Sequence, residues 1–196
     1  MSVKASVRSE LLAARALLSS EDARKAASVL ARRAGDLAEL AGARTVAAYV
    51  SVGREPGTRV LLDALRARGV DVLLPVLRAD NDLDWARYEG AERLVRAGRG
   101  LWEPDGTPLG PDAVLTAEVV LLPGLAVDTH GMRLGRGGGS YDRVLARLER
   151  AGVTPTLAVL LYDDEVVERV PAEPHDRPVH AVVTPGGVRH FTGGRP

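Results

Sequence analysis

The chain has 196 residues, with 26 Lys plus Arg balanced by 26 Asp plus Glu, and no cysteine. That length allows one domain with a real buried core, the zero formal charge argues against a dedicated nucleic-acid binder, and the missing thiols exclude a disulfide framework, a thiolate nucleophile and a cysteine-ligated metal. Apolar runs such as 119–122 and 157–161 are too short to span a bilayer, and alternating charge near the N-terminus replaces an apolar signal core, so a cytoplasmic protein is expected.

Residues 4–18 place Val7, Leu11, Leu12 and Leu18 at helical spacing. Ser19-Ser20 followed by Glu21-Asp22 predicts a capped second helix running to about Leu40. Residues 44–52 read as a buried strand, Thr58 as the cap of a helix over 59–68, and 70–77 as a strand with Pro75 at its end. Residues 78–112 hold one short strand candidate, 83–88, and a loop, GLWEPDG. A strand over 117–127 runs into a turn, a glycine loop follows, and Tyr141–Arg150 is a helix. Strands are expected at 154–162, 180–185 and 188–191, with a short helix over 163–169 and a loose tail over 192–196. The alternation of strands with helices predicts a mostly parallel sheet covered on both faces, in a single domain over 1–196.

The densest signal is LLPGLAVDTHGMRLGRGGGSYDRVL, 121–145. A glycine-rich loop feeding a helix N-terminus presents free backbone N–H groups to an anion, and glycine lets the backbone approach phosphate closely. Arg133, Arg136 and Arg143 add forked cationic donors, and Asp142 can hold magnesium bridging phosphate oxygens. Three consecutive glycines cost backbone entropy, which argues against a loop without function. The loop is not a Walker loop, because Ser140-Tyr141 stands where Lys-Ser/Thr belongs. It fails the dinucleotide fingerprint because position 140 is not Gly, and it fails the nucleophile elbow because Asp142 stands in place of Gly.

Other features are weaker alone. Lys4 and Arg8 share a helix face, where an anion would relieve their repulsion, although a solvated amphipathic face explains the spacing equally well. Only two of the 26 basic residues are lysines, Lys4 and Lys25. Glu55 lies just past a strand end, where open sheets bind ligands, yet an ordinary turn carboxylate is the simpler reading. Asp176 sits in a proline-stiffened loop; His175 and His180 lack a third ligand for a transition metal; Trp85 and Trp102 fit a core before a ligand.

Taken together, these segments resemble the 5-formyltetrahydrofolate cyclo-ligase family over nearly the whole chain. The resemblance rests on Lys4 and Arg8, on Tyr49, Ser51, Glu55 and Thr58, and on Gly100 with Glu103-Pro104. It rests further on PGLAVDTHGMRLGRGGGSYD and PAEPHD. It implies a three-layer α/β/α fold like that of sugar-phosphate isomerase (NagB/RpiA) and CoA-transferase domains. It also implies ATP- and Mg2+-dependent closure of a reduced folate by a cytoplasmic monomer that binds neither nucleic acid nor membrane. It assigns ATP to Lys4, Arg8, Arg133, Leu134, Gly135, Arg136, Gly137, Gly138, Gly139, Ser140 and Tyr141. The folate falls to Val50, Glu55 and Arg136 to Ser140, magnesium to Asp142 and Asp176, and catalysis to Arg133, Arg136 and Tyr141. Ser140 departs from the family pattern, which has Tyr there. Two alternatives follow: a nucleotide- or folate-binding module without turnover, and an ATP-dependent enzyme acting on another formylated substrate.

Overall fold

A computed structural model describes residues 2–192; apart from Thr192, the expected tail lies outside them. The chain runs through helices α1 (Val3–Ala16), α2 (Ser20–Ala34) and α3 (Ala38–Gly42), strand β1 (Thr45–Ala47) and helix α4 (Arg59–Ala67). Strands β2 (Asp71–Leu77), β3 (Leu83–Arg87), β4 (Leu94–Arg96), β5 (Trp102–Pro104), β6 (Val119–Leu122), β7 (Ala126–Asp128) and β8 (Arg133–Leu134) follow. Helix α5 (Ser140–Ala151) and strands β9 (Thr156–Leu160), β10 (Val166–Val167), β11 (Ala181–Thr184) and β12 (Gly187–His190) complete it.

The main sheet has the order β12-β11-β9-β6-β1-β2-β3. Its five inner strands are parallel, and the edges β12 and β3 are antiparallel. Successive side chains of a strand point to opposite faces, and β6 buries both. Val119 and Leu121 share one core cluster with Leu30 and Leu37 of the α2–α3 segment and Leu62 of α4, whereas Val120 and Leu122 share the other with Val144 and Leu148 of α5. Each such side chain, fully buried, contributes about 1.5–3 kcal/mol. Helices therefore cover both faces of a mostly parallel sheet, as the alternation predicts.

Several elements differ from the sequence reading. Ser19 caps α2 by accepting the Asp22 N–H at 3.0 Å, but the helix stops at Ala34 and resumes as α3. Gly35 and Asp36 are poor helix formers, and Leu37 is extended before it buries. Thr58 precedes α4 without capping it; its hydroxyl donates to the Tyr49 carbonyl at 2.7 Å and ties the 49–58 loop shut. Pro75 is inside β2, not at its end. Tyr88 N–H bonds the Val72 carbonyl, so even-numbered residues of β2 face β3 and odd-numbered ones face β1. Pro75 thus lacks the N–H that would continue pairing with β1, and the β1 pairing stops at Leu73 while β2 runs on against β3.

The predicted loop GLWEPDG carries β5, which pairs with β4 in a small hairpin. A second small sheet, β10-β7-β8, also escaped the sequence reading, and β10 replaces the second half of the short helix expected over 163–169. Helix α1 packs Val7 and Leu11 against Ala126, Leu134 and Val170 of this layer, leaving Leu12 toward solvent. Buried Asp128 builds its turn by accepting the His130 and Met132 N–H groups at 2.9 and 3.0 Å.

Candidate active site

From β1 the chain leads to β2 and β3 on one side, and from β6 to β9, β11 and β12 on the other. The crevice beyond the carboxyl ends of β1 and β6 is thus a switch point of the sheet, where α/β proteins bind ligands. A cavity of about 520 Å³ opens there, lined by Tyr49 and Val50 after β1 and Pro123-Gly124 after β6. Pro75, by ending the β1–β2 pairing, parts these strands at the same place and contributes its own ring to the wall.

One side of the cavity is the glycine loop. Gly137 and Gly139 have φ of +90° and +77°, left-handed conformations that favour glycine, and Gly139 precedes the first residue of α5. Arg8 donates from Nε to the Gly135 carbonyl at 2.8 Å, and its guanidinium lies so close to Gly137 that a Cβ there would be 3.1 Å from Cζ. Lys4, one turn earlier, is gripped by Glu173 and Asp176 at 2.7 and 2.8 Å. Partial burial lowers its pKa, but those carboxylates outweigh it and the ammonium is held above its ordinary value. Asp176 is held below its ordinary value: burial opposes this, and the Lys4 bond and the Glu173 N–H overcome it.

Helix α1 is fixed to this site from its far end. Buried Arg15 donates from Nε to Glu165 at 2.6 Å and from Nη2 to Glu165 at 2.9 Å and to the Gly124 carbonyl at 2.7 Å. The ring of Tyr162 stacks beneath it, 5.8 Å from Cζ. No spacing in the sequence marks this pair, which joins residues 150 positions apart.

Arg133 is buried beside the glycine loop, donating to the Pro123 carbonyl at 2.9 Å, with Asp142 3.8 Å away. Burial depresses its pKa more than Asp142 and Tyr141 raise it. The Tyr141 hydroxyl is buried without a hydrogen-bond partner, and burial, then nearby Glu55, pushes its pKa well up. Tyr49 is raised for the same two reasons. Glu55 is nearly buried; it accepts the Val52 N–H at 2.9 Å and pairs with Arg136 at 3.1 Å, linking the 49–58 loop to the glycine loop. The other side of the cavity is apolar: Pro75, Leu77, Leu83, Leu101 and Trp102.

Every residue assigned by the family resemblance, from Lys4 to Asp176, lines this one cavity; Arg143, read beside them as a phosphate donor, does not, and donates to the Asp80 carbonyl instead. Asp142 and Asp176 both do so, yet the close group of possible metal ligands among the described residues is Glu173, His175 and Asp176, without Asp142. His180 does not join His175; its Nδ1 accepts the Leu157 N–H at 2.8 Å. Trp85 is core, whereas Trp102 lines the cavity, with the guanidiniums of Arg59 and Arg96 5.0 and 4.9 Å from its ring. Glu173 and the apolar residues Leu77, Leu83 and Leu101 have no role in the sequence reading, because only the fold brings them to the cavity; Tyr49 stands out there as part of the family pattern, and His175 as a histidine without a third ligand.

The sequence pattern of the 5-formyltetrahydrofolate cyclo-ligase family matches residues 1–185. A 5-formyltetrahydrofolate cyclo-ligase of Mycolicibacterium smegmatis is 46% identical over 147 residues, 72% of this chain and 74% of that protein. One of Escherichia coli is 35% identical over 153 residues, 74% of this chain and 80% of that protein. The solved structure of Aquifex aeolicus 5,10-methenyltetrahydrofolate synthetase superposes with a TM-score of 0.82 at 28% identity, covering all of this chain and 96% of that one. A Mycoplasma pneumoniae 5,10-methenyltetrahydrofolate synthetase shares the fold at 18% identity, with a TM-score of 0.71 over 94% of this chain and 99% of that one. On a match that spans the described site from Lys4 to Asp176, the chain belongs to the 5-formyltetrahydrofolate cyclo-ligase family.

Proposed function

We propose that the chain converts 5-formyltetrahydrofolate and ATP to 5,10-methenyltetrahydrofolate, ADP and phosphate. The observation that carries this reading is the make-up of the cavity: a cationic glycine loop, with Glu55 paired to its Arg136, and a set of apolar side chains line one space. The first suits a triphosphate and the second a flat, partly polar heterocycle.

The chemical obstacle is the unreactive N5-formyl amide. Its oxygen attacks the γ-phosphorus, the bond to the β–γ bridging oxygen breaks, and ADP leaves. The resulting iminium phosphate carries a good leaving group. N10 attacks its carbon and loses its proton, and phosphate departs with the C–O electron pair. Closure is intramolecular, so the protein's task is to position N10 and to stabilise phosphoryl charge. Lys4, Arg8, Arg133, Arg136 and the loop N–H groups at Gly137–Gly139 would hold the phosphates, with Tyr141 against the reacting centre. Val50, Glu55 and the loop as far as Ser140 would hold the folate. The oxygen donors of Asp142 and Asp176 suit a hard divalent ion beside phosphate, and magnesium bound there would neutralise phosphate charge. We take the protein to act as a monomer in the cytoplasm; among the described residues no helix is long and apolar enough to cross a membrane.

The test is absorbance of methenyltetrahydrofolate on mixing the chain with 5-formyltetrahydrofolate, ATP and magnesium. ATP binding without product would leave a binding module, and ATP consumed only with another formylated compound would reassign the substrate.

A further inference from the structure

Among the described residues, only two that are not glycine have positive φ: Asn81 at 65° and Arg99 at 59°. They belong to different turns, the β2–β3 turn and the β4–β5 turn, and they are bonded to each other: Arg99 Nη1 donates to Asn81 Oδ1 at 2.9 Å. A left-handed arginine persists only where its surroundings hold it. The β2–β3 turn supplies that hold. Arg78 N–H bonds the Asp82 carbonyl at 2.9 Å, Arg147 of α5 grips the Asp82 carboxylate at 2.5 Å, and Arg143 donates to the Asp80 carbonyl.

Arg99 lines the active cavity from this perch, beside the apolar wall. Its charge is not neutralised. Of the cavity's other cations, Lys4 pairs with Glu173 and Asp176, Arg133 lies near Asp142, and Arg136 pairs with Glu55. Arg8 bonds only a carbonyl, but it lies on the glycine loop and is spoken for by phosphate in the function proposed above. Arg99 bonds only a neutral amide, and no carboxylate pairs with it among the described residues. Arg59 and Arg96, stacked on Trp102, add positive potential beside it. An exposed cation fixed at a cavity mouth with no counter-ion is a subsite for an anion.

We infer that Arg99 is a specificity-determining residue that binds the glutamate carboxylates of the folate. The inference rests on the proposed function: with the formyl end at the glycine loop and the aromatic middle on the apolar wall, the molecule's remaining charged end reaches the mouth. A nucleotide phosphate is the other anion that could meet Arg99, and the experiment separates the two.

Titration calorimetry would measure binding of 5-formyltetrahydrofolate and of 5-formyltetrahydropteroate, which lacks the glutamate, to the unaltered chain, Arg99→Asn and Arg99→Lys. Asn tolerates the left-handed backbone, so Arg99→Asn removes the charge without straining the turn. Binding of a nonhydrolysable ATP analogue is measured alongside, and methenyl absorbance reports turnover. Arg99→Asn is expected to weaken the glutamate-bearing ligand about tenfold, to leave the truncated ligand and the nucleotide unchanged, and to be largely restored in Arg99→Lys. Equal effects on both folates, no effect on either, or weakened nucleotide instead would overturn the assignment. A glutamate-dependent difference without turnover would uphold Arg99 and sink the cyclo-ligase reading; failure of the unaltered chain to bind either folate would sink both.

Discussion

Replacing Glu165 by Leu tests whether the Arg15–Glu165 pair holds α1 in place. The two side chains are 3% and 5% exposed, so water screens them little. Glu165→Leu strips Arg15 of its bonds at 2.6 and 2.9 Å and leaves only the Gly124 carbonyl, while Nη1 already has no partner. The Tyr162 N–H, which donates to Glu165 at 2.9 Å, is orphaned as well. Removing one member of a buried pair leaves a charge uncompensated, at a cost of about 3–5 kcal/mol. A domain of this size has about 5–15 kcal/mol in total, so the variant stands near the edge of folding. Arg15→Met combined with Glu165→Leu removes both charges and is expected to recover most of the loss, because an apolar pair of similar volume is often no worse than a buried ion pair. Urea unfolding followed by circular dichroism gives both differences. In the folded double variant α1 has lost its polar anchor at the Gly124 turn, so KM for ATP should rise while kcat at saturating ATP falls little. A single variant within about 1 kcal/mol of the unaltered chain, or a double variant no more stable than the single, would refute the reasoning.

Three other outcomes are expected. Gly137→Ala puts a methyl 3.1 Å from Arg8 Cζ at φ +90°, so KM for ATP should rise about tenfold; an unchanged KM for ATP would show that the loop does not seat Arg8 against phosphate. Asp142→Ala should abolish magnesium-dependent turnover while keeping the unfolding transition, and normal turnover would remove Asp142 from the cation. His180 has its pKa lowered by burial against a smaller opposing effect of Glu39, and its Nδ1 must stay unprotonated to accept the Leu157 N–H. The unfolded chain therefore takes up a proton near pH 6.5 that the folded chain refuses, so this contribution is complete above about pH 6.5 and declines as pH falls toward the lower folded value. Urea unfolding at pH 7.5 and 5.5 should show a larger loss for the unaltered chain than for His180→Asn; parallel losses would contradict it.

Ser140 stands at the start of α5 with no capping role, where the family pattern has a tyrosine. Its neighbour Tyr141 already puts a buried, unpartnered hydroxyl at the cavity.

The sequence by itself determined the parallel sheet, because its strands are continuous apolar runs that must bury both faces, and it determined the arginine-flanked glycine loop, because glycines and arginines adjacent in sequence stay adjacent in space. Only the tertiary structure decided what meets that loop. Lys4 and Asp176, Arg15 and Glu165, and Arg99 and Asn81 are far apart along the chain, and no local periodicity encodes their pairing. The same holds for chemically identical groups: Asp128 and Asp142 lie in one motif, yet one is buried by three backbone N–H donors while the other is half-exposed at the cavity. Burial and partners fix a carboxylate's role, and both are properties of the folded chain.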